Sequence, residues 1–215
     1  MASKIIVDQV QKSGGTAFTL PTSDGSNKSA VITDGSGALS FATGTPSASN
    51  FLRGDGTWAT PDGGKILQII QTLKTDTTTT TSASFVDMTG MTVSITPSVV
   101  TSKVLVFLNL NVNSGNLYIV NMRLLRDSTP VFIGDQANVN RARSTFLDRT
   151  NDHQSIQNYS GQFLDSPATT SAITYKMQWA QEAGSTARLN DGTMGSDVFK
   201  YGTTVSTITA MEVGA

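Results

Sequence analysis

The one histidine, His153, stands among Asp148, Arg149 and Asp152, and imidazole flanked by carboxylates is the chain's best candidate for acid–base chemistry. A Ser-His-Asp arrangement would also need a presented nucleophile, and no nucleophile-elbow sequence accompanies it. Three copies of His153 meeting on a threefold axis would make a metal site, but an exposed loop histidine is the plainer reading. Asp191 and Asp197 could pair as glycosidase carboxylates. Their Gly-rich surroundings read instead as solvated turns. Arg53-Gly54-Asp55 spells an integrin tripeptide inside a glycine-rich turn motif, where chance accounts for it. Arg141, Arg143 and Arg149 are interleaved with Asp135, Asp148 and Asp152, which suits a polar contact surface or interchain ion pairs better than a phosphate track. The expectation is a protein with no catalytic residue, no metal and no cofactor.

The elements that carry these residues follow from composition. The chain has 215 residues, 15 Lys+Arg against 16 Asp+Glu, a net charge of −1 and no cysteine. Charged residues are 14% of the chain, against about 25% in ordinary soluble domains. Ser and Thr fill about a quarter of the positions, and the only glutamates are Glu182 and Glu212. Helix formers are scarce while strand and turn formers abound, so the chain reads as all-β. Without cysteine there are no disulfides, thiolate metal sites or thiol nucleophiles. A net charge near zero gives no global pull toward nucleic acid. The apolar run Val104 to Leu108 is far too short to span a bilayer, and the N-terminus lacks a signal-peptide core. A soluble protein that neither inserts into membranes nor binds nucleic acid is expected.

Two regions differ in their apolar content. Residues 1–64 read as one segment and 65–215 as a domain. In the first, large apolar side chains occur at about one position in five; in the second, at about one in three. Burying so few groups cannot offset the cost of ordering the first segment on its own. Its spacing nevertheless repeats: Ser23-Asp24-Gly25-Ser26, Thr33-Asp34-Gly35-Ser36 and, more loosely, Gly54-Asp55-Gly56-Thr57. Asp-Gly favours type I′ turns, so short strands separated by tight turns and completed by other chains are expected.

The second region alternates with period two. Ile173-Thr174-Tyr175-Lys176-Met177-Gln178-Trp179 puts its apolar groups on one face, and Leu108 to Asn113 does so with asparagines outward. Met91 to Thr96 and Val205 to Val213 add further strands. Ile66, Ile69, Ile70 and Leu73 also fit a helical face, but the threonine run that follows favours a first strand and then a loop. Many short strands with turn clusters at Asp127-Ser128-Thr129-Pro130 and Ala183-Gly184-Ser185 predict a jelly-roll β-sandwich.

Pro46 to Ala59, with Phe51-Leu52-Arg53-Gly54-Asp55-Gly56-Thr57-Trp58 at its centre, closely resembles a stretch of bacteriophage tail-fibre proteins that links shaft to head. Leu20 to Gly25 and Thr33 to Phe41 are similar to shaft sequence. From Ile66 onward the chain resembles C-terminal heads of marine phage fibres, through Ser94-Ile95-Thr96-Pro97, Lys103 to Val106 and Ile208 to Val213. Such heads are similar to the trimeric jelly rolls of the tumour-necrosis-factor and C1q class. No collagen-like run or extended repeat is present.

The resemblance implies a homotrimeric tail fibre or short spike, located in the virion, whose C1q/TNF-like head adheres to a host glycan or outer-membrane receptor. A virion fibre or decoration protein on head or baseplate, without a receptor role, is the alternative. Trimer formation would bury Phe18, Phe41, Phe51 and Trp58 between chains. The β-branched terminus carrying Ile5, Ile6, Val7 and Val10 suits strand addition to another virion tail protein. Receptor contact is expected on polar loops at the far end of the head, through Asp152, His153, Asn190 and Asp191, with Tyr159 and Tyr201 nearby.

Overall fold

Alternation of apolar and polar residues leaves the backbone extended, because only a pleated strand turns every second side chain to one side. Every regular element among the described residues is accordingly a strand. The computed structural model describes residues 9–10, 18–19, 31–33 and 39–41 as backbone, and 47–48, 50–54, 56–60, 66–115, 117–136, 140–151, 154–192, 199 and 202–214 in full. The chain divides into units of residues 1–63 and 64–215.

The first unit carries antiparallel pairs of very short strands. β1 (Gln9–Val10) pairs with β2 (Phe18–Thr19), β3 (Val31–Thr33) with β4 (Leu39–Phe41), and β5 (Phe51–Leu52) with β6 (Trp58–Ala59). The β5–β6 connection corrects one expectation. Gly56 N–H donates to Arg53 O at 3.0 Å, Arg53 N–H to Thr57 O at 2.7 Å, and Gly56 has φ 81°. A left-handed glycine closing a three-residue connection is the bulged form of hairpin, not the two-residue I′ turn.

The second unit contains β7 (Ile66–Lys74), β8 (Thr78–Thr80), β9 (Val86–Ile95), β10 (Lys103–Asn113), β11 (Val120–Arg126), β12 (Thr129–Val131), β13 (Phe146–Asp148), β14 (Gln157–Asp165), β15 (Ile173–Gln181), β16 (Ala187–Leu189) and β17 (Ser206–Val213). β7 pairs with β17, β9 with β15, β10 with β14, and β11 with both β12 and β13. First strands thus meet last strands, as in a single long hairpin rolled over on itself. One sheet runs β14–β10–β17–β7, with β16 and β8 extending its last two strands; the other runs β12/β13–β11–β15–β9. This is the strand order of a jelly-roll sandwich. The threonine run expected as a loop supplies β8, since β-branched side chains suit a strand. Pro130, assigned to a turn, lies within β12.

The core forms where the two sheets face each other. Ile173, Tyr175, Met177 and Trp179 of β15 and Val104, Val106, Leu108 and Leu110 of β10 are all at most 4% exposed. Each such side chain contributes about 1.5–3 kcal/mol on burial. Asn109 of β10 faces outward as expected and Asn111 is part-exposed, but Asn113 is buried.

Side chains close both open edges of the sandwich. Gln68 Nε2 donates to Thr96 O at 2.7 Å and Thr72 Oγ1 to Thr92 O at 2.6 Å, so β7 grips β9 across the gap. At the opposite edge Phe132 stacks on Phe163 with centroids 5.4 Å apart, and Phe146 tilts against Tyr159 at 5.9 Å. Gly161 lies beneath these rings: a Cβ there would stand 2.8 Å from Phe146 Cζ.

Strand direction sorts the loops. Ile66 and the connections β9–β10, β11–β12 and β14–β15 lie at one end of the sandwich. The connections β8–β9, β10–β11, β13–β14 and β15–β16 lie at the other.

Candidate functional site

The loop segments expected to bind a receptor do meet at the end opposite Ile66. Gly192 abuts the β13–β14 connection so closely that a Cβ on it would lie 2.5 Å from Gln154 O. The individual residues are placed differently from expectation. Asp152, His153 and Tyr201 lie outside the described residues, between or beside exposed Asn151, Gln154 and Gly202. Asn190 is fully buried and so cannot present its amide to a ligand. Its Nδ2 donates to Lys74 O at 2.9 Å and Asp76 O at 3.1 Å, and its Oδ1 accepts from Ser206 Oγ at 2.6 Å. A φ of 63° completes its role as a structural pin, since Asn tolerates the left-handed region better than most residues. Asp191 is half-buried, 3.7 Å from Arg188 Nη1, and bridges to Thr203. Tyr159 is no loop aromatic; it packs inside the edge, and its hydroxyl donates to Asp148 Oδ1 at 2.6 Å. Asp148 is itself buried rather than poised beside a histidine.

The loop end is rigidified by small polar groups. Ser114 and Thr150 are buried and share a hydroxyl–hydroxyl bond of 3.0 Å. Gln181 Nε2 donates to Ser114 O at 3.0 Å, and Asn113 Nδ2 donates to Ser155 O. Arg149 Nε reaches Leu117 O at 3.1 Å and Arg143 Nε reaches Gly134 O at 2.8 Å, so these arginines clamp loops. Most buried polar groups are paired, and here the pairing makes the network a frame for whatever the outer loop residues contact.

At the Ile66 end Glu212 is buried without a cation. Its Oε1 accepts from Ser98 N at 2.7 Å, Ser98 Oγ at 2.6 Å and Ser102 Oγ at 2.7 Å; its Oε2 accepts from Gln68 Nε2 at 2.6 Å. Burial pushes its carboxyl upward, but the hydrogen bonds together outweigh burial and hold it at about 2. The group joins β7, β17 and the β9–β10 connection and faces no open site. Among the described residues no group of three or more His, Asp or Glu could hold a metal ion.

The two outer faces of the sandwich differ sharply, and sequence reading missed this. On the β11–β15–β9 face polar side chains pair in register. Lys176 Nζ and Gln178 Nε2 each reach Asp87 at 2.7 Å, Arg123 Nη2 reaches Gln178 Oε1 at 2.8 Å, and Arg123 lies 3.9 Å over the Phe85 ring. Lys176, then Gln178, hold the Asp87 carboxyl below its ordinary range. On the β14–β10–β17–β7 face, Ile69, Met211, Leu105 and Leu164 stand in one cross-strand row. The next row is Gln71, Thr209, Phe107 and Gln162. Neither row contains a charge. Ile69 is 56% exposed and Leu164 48%. A groove of about 500 Å³ runs over Ile69, Phe107 and Met211. The signal was present as alternation within each strand, but only the register between strands turns it into a patch.

In the first unit Phe51 is 45% exposed. Trp58 is half-buried, and its Nε1 is buried without a hydrogen-bond partner. The side chains of Phe18, Phe41 and Val10 lie outside the description, as do Ile5, Ile6 and Val7 altogether; the backbone of Val10 pairs with Phe18 of the same chain.

No known family model matches the chain, and no curated protein does. Among solved structures, that of infectious bursal virus derived T=1 particles is similar, with 12% sequence identity and a TM-score of 0.37. It covers 92% of this chain, which spans 44% of the length of the other. The jelly-roll assignment stands on the strand pairings themselves.

Proposed function

We propose that the chain is a virion structural protein, a homotrimeric tail fibre or short spike whose jelly-roll head adheres to the host cell surface. The two charge-free rows on the outer face of the β14–β10–β17–β7 sheet carry this reading. A monomer has no use for Ile69, Leu105, Phe107 and Leu164 on one sheet face, and a patch of this kind marks an interaction surface. Rows without charge are compatible with themselves, because two copies meet there without like-charge repulsion. The exposed Phe51 and the low apolar content of residues 1–64 point the same way. The tail-fibre resemblance of Pro46 to Ala59 supplies the setting. Adhesion by several weak sites at once needs no deep pocket and no catalysis.

Light scattering of the full chain at micromolar concentration tests assembly: the expected mass is about three times 22.7 kDa, and a monodisperse monomer overturns the trimer. Labelled protein applied to bacterial strains tests adhesion. Imaging of the intact particle separates a tail fibre from a decoration or baseplate protein.

A further inference from the structure

We infer that a cleft on the β11–β15–β9 face, at the end opposite Ile66, holds one neutral sugar unit of a host-surface glycan. The inference rests on the adhesion reading and names its site and ligand class.

The cleft follows from one short side chain. The outward row of β15 is Thr174, Lys176, Gln178 and Ala180. Lys176 and Gln178 reach across to Asp87, and Gln178 also takes Arg123. At Ala180 the row stops at a Cβ, and a hollow of about 320 Å³ opens there. Ala180 pairs with Asn121 of β11 on one side. Ala83 and Phe85, which precede β9, wall the other, and Ala142 of the β12–β13 connection adds a third small side chain. Small-molecule sites run from about 300 to 1,000 Å³, so this one suits a single ring.

Two polar side chains line the hollow with part of their bonding capacity spent on holding them still. Asn121 Oδ1 accepts from Ser144 Oγ at 2.9 Å, which leaves its Nδ2 as a donor. Glu182 Oε2 accepts from Ile119 N–H at 3.0 Å, which leaves Oε1 as an acceptor. The Phe85 ring is fixed as well. Arg123 Cζ lies 3.9 Å from its centroid, and Arg123 Nε and Nη2 both donate to Gln178 Oε1, at 3.0 and 2.8 Å. Groups anchored before a ligand arrives lose little freedom when it binds.

Charge selects the ligand. An anion would meet the Glu182 carboxylate, and a cation would sit beside the Arg123 guanidinium on Phe85; like charges brought together weaken binding. A neutral sugar meets neither penalty. It offers a hydroxyl to the carboxylate, an oxygen to the amide and a C–H face to the aromatic ring. The cleft and the apolar rows assigned to assembly lie on different sheets, so both can be used at once.

Two full-length variants test this. Ala180→Leu fills the hollow, and Glu182→Gln removes its charge while keeping an acceptor. Both should keep the parent's oligomeric mass and melt within a few degrees of it. The probes are neutral oligosaccharides of glucose, galactose and mannose, and oligosaccharides of uronic acids. The parent should bind a neutral probe about tenfold or more tighter than any uronic acid probe. Ala180→Leu should lose about tenfold or more of the neutral binding, and Glu182→Gln should narrow the gap between the two kinds of probe. Undiminished neutral binding by Ala180→Leu overturns the site. If Ala180→Leu does not fold, an unchanged gap in Glu182→Gln overturns it instead. A parent that prefers uronic acids, or that binds bacterial strains but no probe, overturns the ligand class and leaves adhesion standing. A parent that binds neither strains nor probes overturns adhesion itself, and with it the role given to the cleft.

Discussion

Tyr175 Oη donates to Asp165 Oδ2 at 2.7 Å, tying β15 of one sheet to β14 of the other. The Tyr159–Asp148 bond crosses the same sandwich in the opposite sense, from β14 to β13. The two carboxylates differ in their other partners. Asp165 also accepts from Arg126 Nη1 at 2.9 Å and from Ser166 N at 2.9 Å, whereas Asp148 Oδ2 is buried with no partner. Leaving a buried acceptor unpaired costs more than losing one bond of several. Tyr159→Phe should therefore destabilise more than Tyr175→Phe, by about 2–3 against about 1–2 kcal/mol, although Tyr175 is the more deeply buried. Urea denaturation of the two variants checks the order.

Burial first, then the neighbouring carboxylates, raise both phenols well above the ordinary tyrosine value of 10.0. The raised value means that these bonds add stability in full below pH 10 and lose it as pH rises beyond. Spectrophotometric titration of the 4 tyrosines should show Tyr159 and Tyr175 ionising only as the protein unfolds. Ionisation of all four near pH 10 in the folded state would contradict the geometry.

The Glu212 clasp governs the acid side. Its carboxyl is lowered from 4.5 to about 2, so its contribution is complete above pH 4.5 and disappears as pH falls through that window. The melting temperature should drop between pH 4.5 and 2, and Glu212→Gln should flatten that drop while lowering stability at neutral pH. An unchanged acid limb in Glu212→Gln would assign the transition to other carboxylates.

Gly161→Ala should force the aromatic edge apart, because the new methyl meets Phe146 and Phe132 at 2.8 and 3.2 Å. Overpacking of this kind costs about 1–3 kcal/mol, or roughly 2–12 °C in melting temperature for a domain of this size. Adding Phe146→Leu should recover part of the loss, and additive losses in the double variant would place the strain elsewhere.

Charges on the apolar face should prevent assembly without unfolding the head. In Leu105→Glu with Met211→Glu, the cross-strand neighbours on β10 and β17 both turn acidic. Light scattering should give the single-chain mass of 22.7 kDa, with the β-type circular dichroism retained. An undiminished oligomer would move the interface to another surface.

The strands were legible wherever one face alone is buried. Ile173 to Trp179 declares itself because period two is a local property, and Glu, Cys and helix formers are scarce enough to exclude other architectures. Asn190-Asp191-Gly192 shows the opposite case. In sequence it is a polar turn, yet Asn190 is buried by carbonyls of Lys74 and Asp76, more than a hundred residues away. The same holds for the row Ile69, Met211, Leu105 and Leu164, whose members come from four strands. Side-chain alternation is encoded within each strand; which strands become neighbours, and so which polar groups are buried and which apolar groups form one surface, is decided by long-range pairing that optimises the whole sandwich at once.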